Sequence, residues 1–105
     1  MVDAEFSGFD WDDGNRLKCQ KHGMTIAEIE HVLIHHSTLL VPSPKGDGEA
    51  RVMAIGRTAA ARLAMVVFTP RARGGATLLR PLSARFMHPR EARKYGKEVP
   101  DPHER

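Results

Sequence analysis

The spacing of apolar residues along the chain changes from two to about 3.6 and back again, and each change marks an element. Phe9-Asp10-Trp11-Asp12 alternates, the period of a short strand. Asp12 or Asp13 can then cap a helix running to about His22. Gly23 ends it, because a left-handed terminal residue costs least as glycine. A second helix opens at once. Thr25 is its N-cap, Glu28 completes the Thr-x-x-Glu capping box, and Met24 and Ile29 hold the positions of a hydrophobic staple. Ile26, Ile29, Val32 and Leu33 form one apolar face at helical spacing.

After residue 37 the period shortens. Residues 37–42, STLLVP, read as a strand closed by Pro42, and 43–48, SPKGDG, as a mobile loop. EARVMAIGR (49–57) and RLAMVVFT (62–69) predict two strands joined by Thr58–Ala61, the second apolar on both faces and therefore central. Gly74-Gly75 turns the chain into ATLLRPLSARF (76–86), a strand with Pro81 inside it. Proline cannot donate to a ladder, so this strand lies at an edge or carries a bulge. Pro89 suits the first position of a last helix, His88 to about Gly96. The pattern predicts an α+β fold: two N-terminal helices and a C-terminal helix packed on a four-stranded antiparallel sheet, in two layers. Residues 1–97 make one domain, and 98–105 a loose tail with little to bury.

Length supports this: 105 residues suffice for one modest core and no second domain. The single cysteine, Cys19, cannot form an internal disulfide or a zinc cage, which fits a reducing cytoplasm. The acidic start MVDAEFSGFDWDD lacks the basic and apolar segments of a signal peptide, and LAMVVF is too short to span a bilayer. The formal charge of +3 hides a segregation. Residues 1–13 carry five acids and no base, whereas residues 50–97 carry eleven Arg and Lys against Glu91 alone. So basic a stretch either is an ordinary solvated face or meets a polyanion, and its placement within predicted elements favours the polyanion.

The chain has no Walker loop, Gly-x-Gly-x-x-Gly, Gly-x-Ser-x-Gly or Cys-x-x-Cys. His31 and His35, one helical turn apart with His36 beside them, can share an ion. With no cysteine or carboxylate suitably placed, they read better as solvated residues at the negative end of a helix dipole, and no metal or cofactor is expected. Lys21 and His22 also suit a helix end, or present an amine and an imidazole at a sharp corner.

Trp11-Asp12, Lys21-His22-Gly23, Glu49 with Arg51, Ile55-Gly56, Ser83-Ala84-Arg85, Glu91 and Tyr95 occur in the order and spacing of the BrnT toxins, and over residues 9–95 the chain resembles that bacterial family. Ala61 stands where the family often has a hairpin glycine. The resemblance implies a RelE-like sheet and a small ribonuclease toxin acting on RNA. Its implied partner is a ribbon-helix-helix antitoxin that alone contacts operator DNA, in a complex with two copies of each protein.

RNA carries its own nucleophile, the 2′-hydroxyl, so cleavage needs in-line positioning, proton transfer and charge stabilisation rather than a metal. Histidine can move protons near neutrality, and arginine binds two phosphate oxygens at once. His22 or His88 is therefore the candidate for proton transfer. Arg51, Arg80 and Arg85 are expected to converge as a phosphate clamp, supplemented by Lys21. Arg57, Arg90, Arg93 and Lys94 are candidates for binding RNA along its length, with Glu49 and Glu91 as supporting residues, Glu91 to orient an arginine or histidine. Arg80 and Arg85, five apart, share a face only if Pro81 marks a bulge.

Overall fold

The computed structural model describes residues 6–43 and 50–100. Its elements in chain order are β1 (Gly8–Phe9), α1 (Asp13–Gln20), α2 (Ile26–Ile34), β2 (Leu39–Pro42), β3 (Val52–Arg57), β4 (Leu63–Arg73), β5 (Ala76–Phe86) and α3 (Pro89–Tyr95). The fold is α+β with three helices, as the pattern predicts. The sheet differs in detail: it has five strands in the order β1-β5-β4-β3-β2 and is mixed, because β1 runs parallel to β5. The alternation at residues 9–12 indicates a strand, but only Gly8 and Phe9 pair. Beyond them Asp12 turns to cap α1, its carboxylate accepting from the Asn15 N–H at 3.0 Å while Asn15 Oδ1 accepts from the Asp12 N–H at 2.7 Å.

Local chemistry sets the other boundaries. Thr25 and Glu28 form the reciprocal box that starts α2. Gly23 takes φ +96° between the helices. Gly74 and Gly75, both at positive φ, make the two-residue turn joining β4 to β5. In the turn from β3 to β4 the left-handed residue is Ala61, at φ +67°.

The bulge at Pro81 is present. Val67 faces Ser83 and Phe68 faces Pro81, so Leu82 is the extra residue. The Pro81 carbonyl accepts from Asn15 Nδ2 at 3.0 Å, and the same amide donates to Asp10 O at 2.9 Å. Asn15 is buried and uses every polar group it has, fastening the start of α1 to the bulge. α1 lies along β5 beyond the short β1.

Two apolar clusters cover opposite faces of the sheet. Met24, Ile29, Val32 and Leu33 pack with Ala54, Val66, Phe68 and Ala84 on one side. Ile55 and Leu63, on the other, pack with Ala92 and Tyr95 of α3 and with Val99. The helices thus occupy both faces, where two layers are expected, because successive residues of β3 point to opposite sides and both sides are apolar. Residues 98–100 depart from the loose tail expected of 98–105. Val99 is 1% exposed, and its carbonyl accepts from Arg57 Nε at 2.8 Å. The rest of that tail lies outside the described residues.

Candidate active site

An open cleft of about 540 Å³ forms where the end of β5, the corner after α1, the start of β4 and the start of α3 meet. Its walls are His22, Arg62, Arg85, Phe86, Met87, His88 and Pro89. That volume lies within the range of small-ligand sites. A smaller recess of 220 Å³ adjoins it, lined by His22, Met65, Val67, Ser83, Ala84 and Arg85, so His22 and Arg85 belong to both.

Each wall residue is held for a local reason. His22 follows the last turn of α1, whose other end the Asn15 contacts pin to β5. His88 is the N-cap of α3, with Pro89 at the first helical position. Glu91 accepts from the His88 backbone N–H at 3.0 Å and from Arg85 Nη1 and Nη2 at 2.7 and 2.8 Å. The two Arg85 bonds are the fork-to-fork geometry that fixes a guanidinium in its plane. Together with the His88 N–H they hold the Glu91 carboxyl down at about 2. Arg85 also donates to Phe86 O at 3.3 Å. Three of its five N–H donors are thereby used, leaving two for another oxyanion. Arg62 stacks its guanidinium over the Phe86 ring at 3.6 Å from the centroid.

His22, Arg85 and His88 are thus brought together, with Glu91 orienting Arg85. The three-guanidinium clamp does not form. The bulge does put Arg80 and Arg85 on one face, but their β4 partners, Thr69 and Met65, are four residues apart, roughly 13 Å along the strand. Arg80 instead binds Asp12 at 2.9 Å and Asp10 at 3.5 Å, and Arg73 reaches Asp10 at 3.1 Å. Asp12 is held below the ordinary carboxylate range first by the Asn15 backbone N–H and then by Arg80. Arg51 immediately precedes Val52, which faces Phe68, and so lies toward the far end of the sheet.

Lys21 is exposed and does not line the cleft. Arg57 donates to the carbonyls of Val99, Ala61 and Gly96, so it staples the tail and the β3–β4 turn. Arg90, Arg93 and Lys94 are exposed on or beside α3, Lys94 lying over the Tyr95 ring at 5.3 Å. Glu49 lies outside the described residues. Among the described residues no three His, Cys, Asp or Glu side chains gather as a metal site. The rings of His31, His35 and His36 lie against one another, and burial followed by its two neighbours lowers the pKa of His35. Arg62 and Phe86 also line the cleft, although the sequence pattern did not single them out. The signal was the β4–β5 register, which sets Ala64 opposite Phe86 and so puts Arg62 on its diagonal.

The family model described as ribonuclease toxin, BrnT, of type II toxin–antitoxin system matches residues 11–91. The chain belongs to the BrnT family. The span runs from Trp11 to Glu91 and contains every residue of the cleft. Among solved structures, the ribonuclease toxin BrnT of Brucella abortus is similar, with 28% identity and a TM-score of 0.55, covering 77% of this chain and 96% of that one. A search of curated proteins finds no match. As a BrnT-family protein the chain is a ribonuclease toxin, with RNA as its substrate class and an antitoxin as its partner. No described helix is long and apolar enough to cross a membrane.

Proposed function

We propose that this chain is a metal-independent endoribonuclease that cuts RNA by attack of the 2′-hydroxyl, with His22, His88 and Arg85 as its reacting groups. The observation that carries this reading is that two imidazoles and one carboxylate-oriented guanidinium line a single cleft. One histidine takes the 2′-proton as the 2′-oxygen bonds to phosphorus. The other delivers a proton to the 5′-oxygen as the phosphorus–oxygen bond breaks. The products are a 2′,3′-cyclic phosphate and a free 5′-hydroxyl. Arg85 meets the charge that accumulates on the non-bridging oxygens with the two N–H groups that Glu91 and Phe86 leave unused. The exposed bases Arg90, Arg93 and Lys94, close to the cleft in sequence, extend the positive field along the RNA. The family resemblance supports the rest of the assignment: a cytoplasmic toxin neutralised by a ribbon-helix-helix antitoxin, two copies of each, with operator DNA contacted through the antitoxin.

The test is cleavage of a defined RNA in EDTA with end-group analysis. The reading requires a cyclic phosphate terminus, loss of cleavage in H22A and H88A, and a fall of about 100-fold or more in R85A. Intact RNA at high enzyme would leave a non-catalytic module that pairs with an antitoxin. Activity restored only by added zinc or manganese would replace the mechanism.

A further inference from the structure

The cleft holds one arginine that nothing else claims. Arg85 is bound by Glu91, Arg80 by two aspartates and Arg57 by three carbonyls, whereas among the described residues Arg62 has no carboxylate or carbonyl partner for its side chain. Its backbone is fixed nonetheless. The Thr58 N–H donates to Arg62 O at 2.9 Å, and the Arg62 N–H donates to Thr58 Oγ1 at 3.3 Å, closing the turn around Ala61. One face of the guanidinium lies on the Phe86 ring, yet the residue remains exposed and lines the cleft.

A planar cation backed by an aromatic ring, exposed in the wall of the cleft that Arg85 also lines, is a stacking surface. Unpaired nucleobases stack on aromatic rings and on guanidinium planes alike, and such stacking tolerates any base because each has a π-face. We infer that the Phe86–Arg62 stack is a platform for one nucleobase of the RNA, the base next to the phosphate that Arg85 engages. This rests on the proposed nuclease reading and adds to it how the strand is held. The platform makes the enzyme select single-stranded RNA, because a base within a duplex offers no free face.

The experiment uses a short single-stranded RNA that the full chain cuts once. Counterparts carry an abasic residue on the 5′ or the 3′ side of the cut, and a parallel set is made uncleavable by 2′-deoxy substitution at that position. Binding to the uncleavable set is read by fluorescence anisotropy. The inference expects the wild type to bind one abasic strand about tenfold more weakly than the intact strand. R62K, which keeps the charge but not the plane, and F86L, which removes the ring, should lose that discrimination, while binding through phosphates persists. A wild type that binds abasic and intact strands equally, or an R62K that still discriminates, overturns the platform. Where the RNA stays intact in the nuclease assay, the abasic residue is placed at each position of the strand in turn, so that the proposed reaction can fail while the binding outcomes still decide the stack.

Discussion

Replacing Glu91 with glutamine tests the contact on which the cleft depends. In the native protein the carboxylate takes two charge-assisted bonds from Arg85 and one from the His88 N–H. Its pKa lies at about 2 against an ordinary 4.5. At about 1.4 kcal/mol for each pH unit this gap corresponds to ~3 kcal/mol as a ceiling. Both side chains are about one-third exposed, 32% for Arg85 and 33% for Glu91, so solvent screening reduces the expected contribution to ~1 kcal/mol. The folded pKa is depressed, so this stability is fully present above pH 4.5 and is lost as pH falls toward 2. Urea denaturation of both proteins should therefore give E91Q a deficit of ~1 kcal/mol at pH 7, shrinking toward zero near pH 2. RNA cleavage by E91Q should fall about tenfold or more, because Arg85 is no longer held in plane. A deficit that stays constant from pH 7 to pH 2 would falsify the account, and so would an E91Q enzyme of full activity.

Three further outcomes follow from the packing. An added Cβ at Gly56 would come 2.5 Å from Thr38 Oγ1, whose hydroxyl donates to the Val32 carbonyl near the end of α2. G56A should then cost about 2–3 kcal/mol, and less in a T38A background, where only the approaches to Val32 Cγ1 at 3.2 Å and to the Cβ of residue 38 at 3.3 Å persist; equal costs in both backgrounds refute the clash. Ala61 adopts φ +67°, so A61G should stabilise by about 0.5–1 kcal/mol after glycine's extra unfolded-state entropy is counted, seen as a Tm rise of a few degrees. N15A should lose ~2 kcal/mol, and N15D more at pH 7, because a buried carboxylate would face the carbonyls of Pro81 and Asp10. An N15D protein as stable as the wild type in urea would disprove that network.

What the sequence made legible was local chemistry. The capping box of α2, the glycine between the helices, the Gly74-Gly75 turn and the bulge at Pro81 each depend on residues within a few positions of one another. The parallel β1, the placement of α3 and the fate of most arginines depend on distant partners. Arg80 meets Asp10 and Asp12 only because β1 returns beside β5, and Arg57 meets Val99 only because the tail folds back. The pattern of positive charge indicated a basic region but not which guanidinium had a carboxylate waiting. His22, Arg85 and His88 were named from residue chemistry and family likeness, and they line one cleft. Arg62 was missed because its partner is a ring on the next strand, reached across a register that the extra residue displaces.

That extra residue also affects how relatives are compared. Leu82 adds a position to β5 without turning Ser83 or Arg85 to the other side, since each keeps its β4 neighbour. A homologue one amino acid shorter here can therefore present its counterparts of Arg80 and Arg85 on one face as well. The gap belongs opposite Leu82, and counting intervals between conserved-looking letters would misjudge which chains have an equivalent cleft.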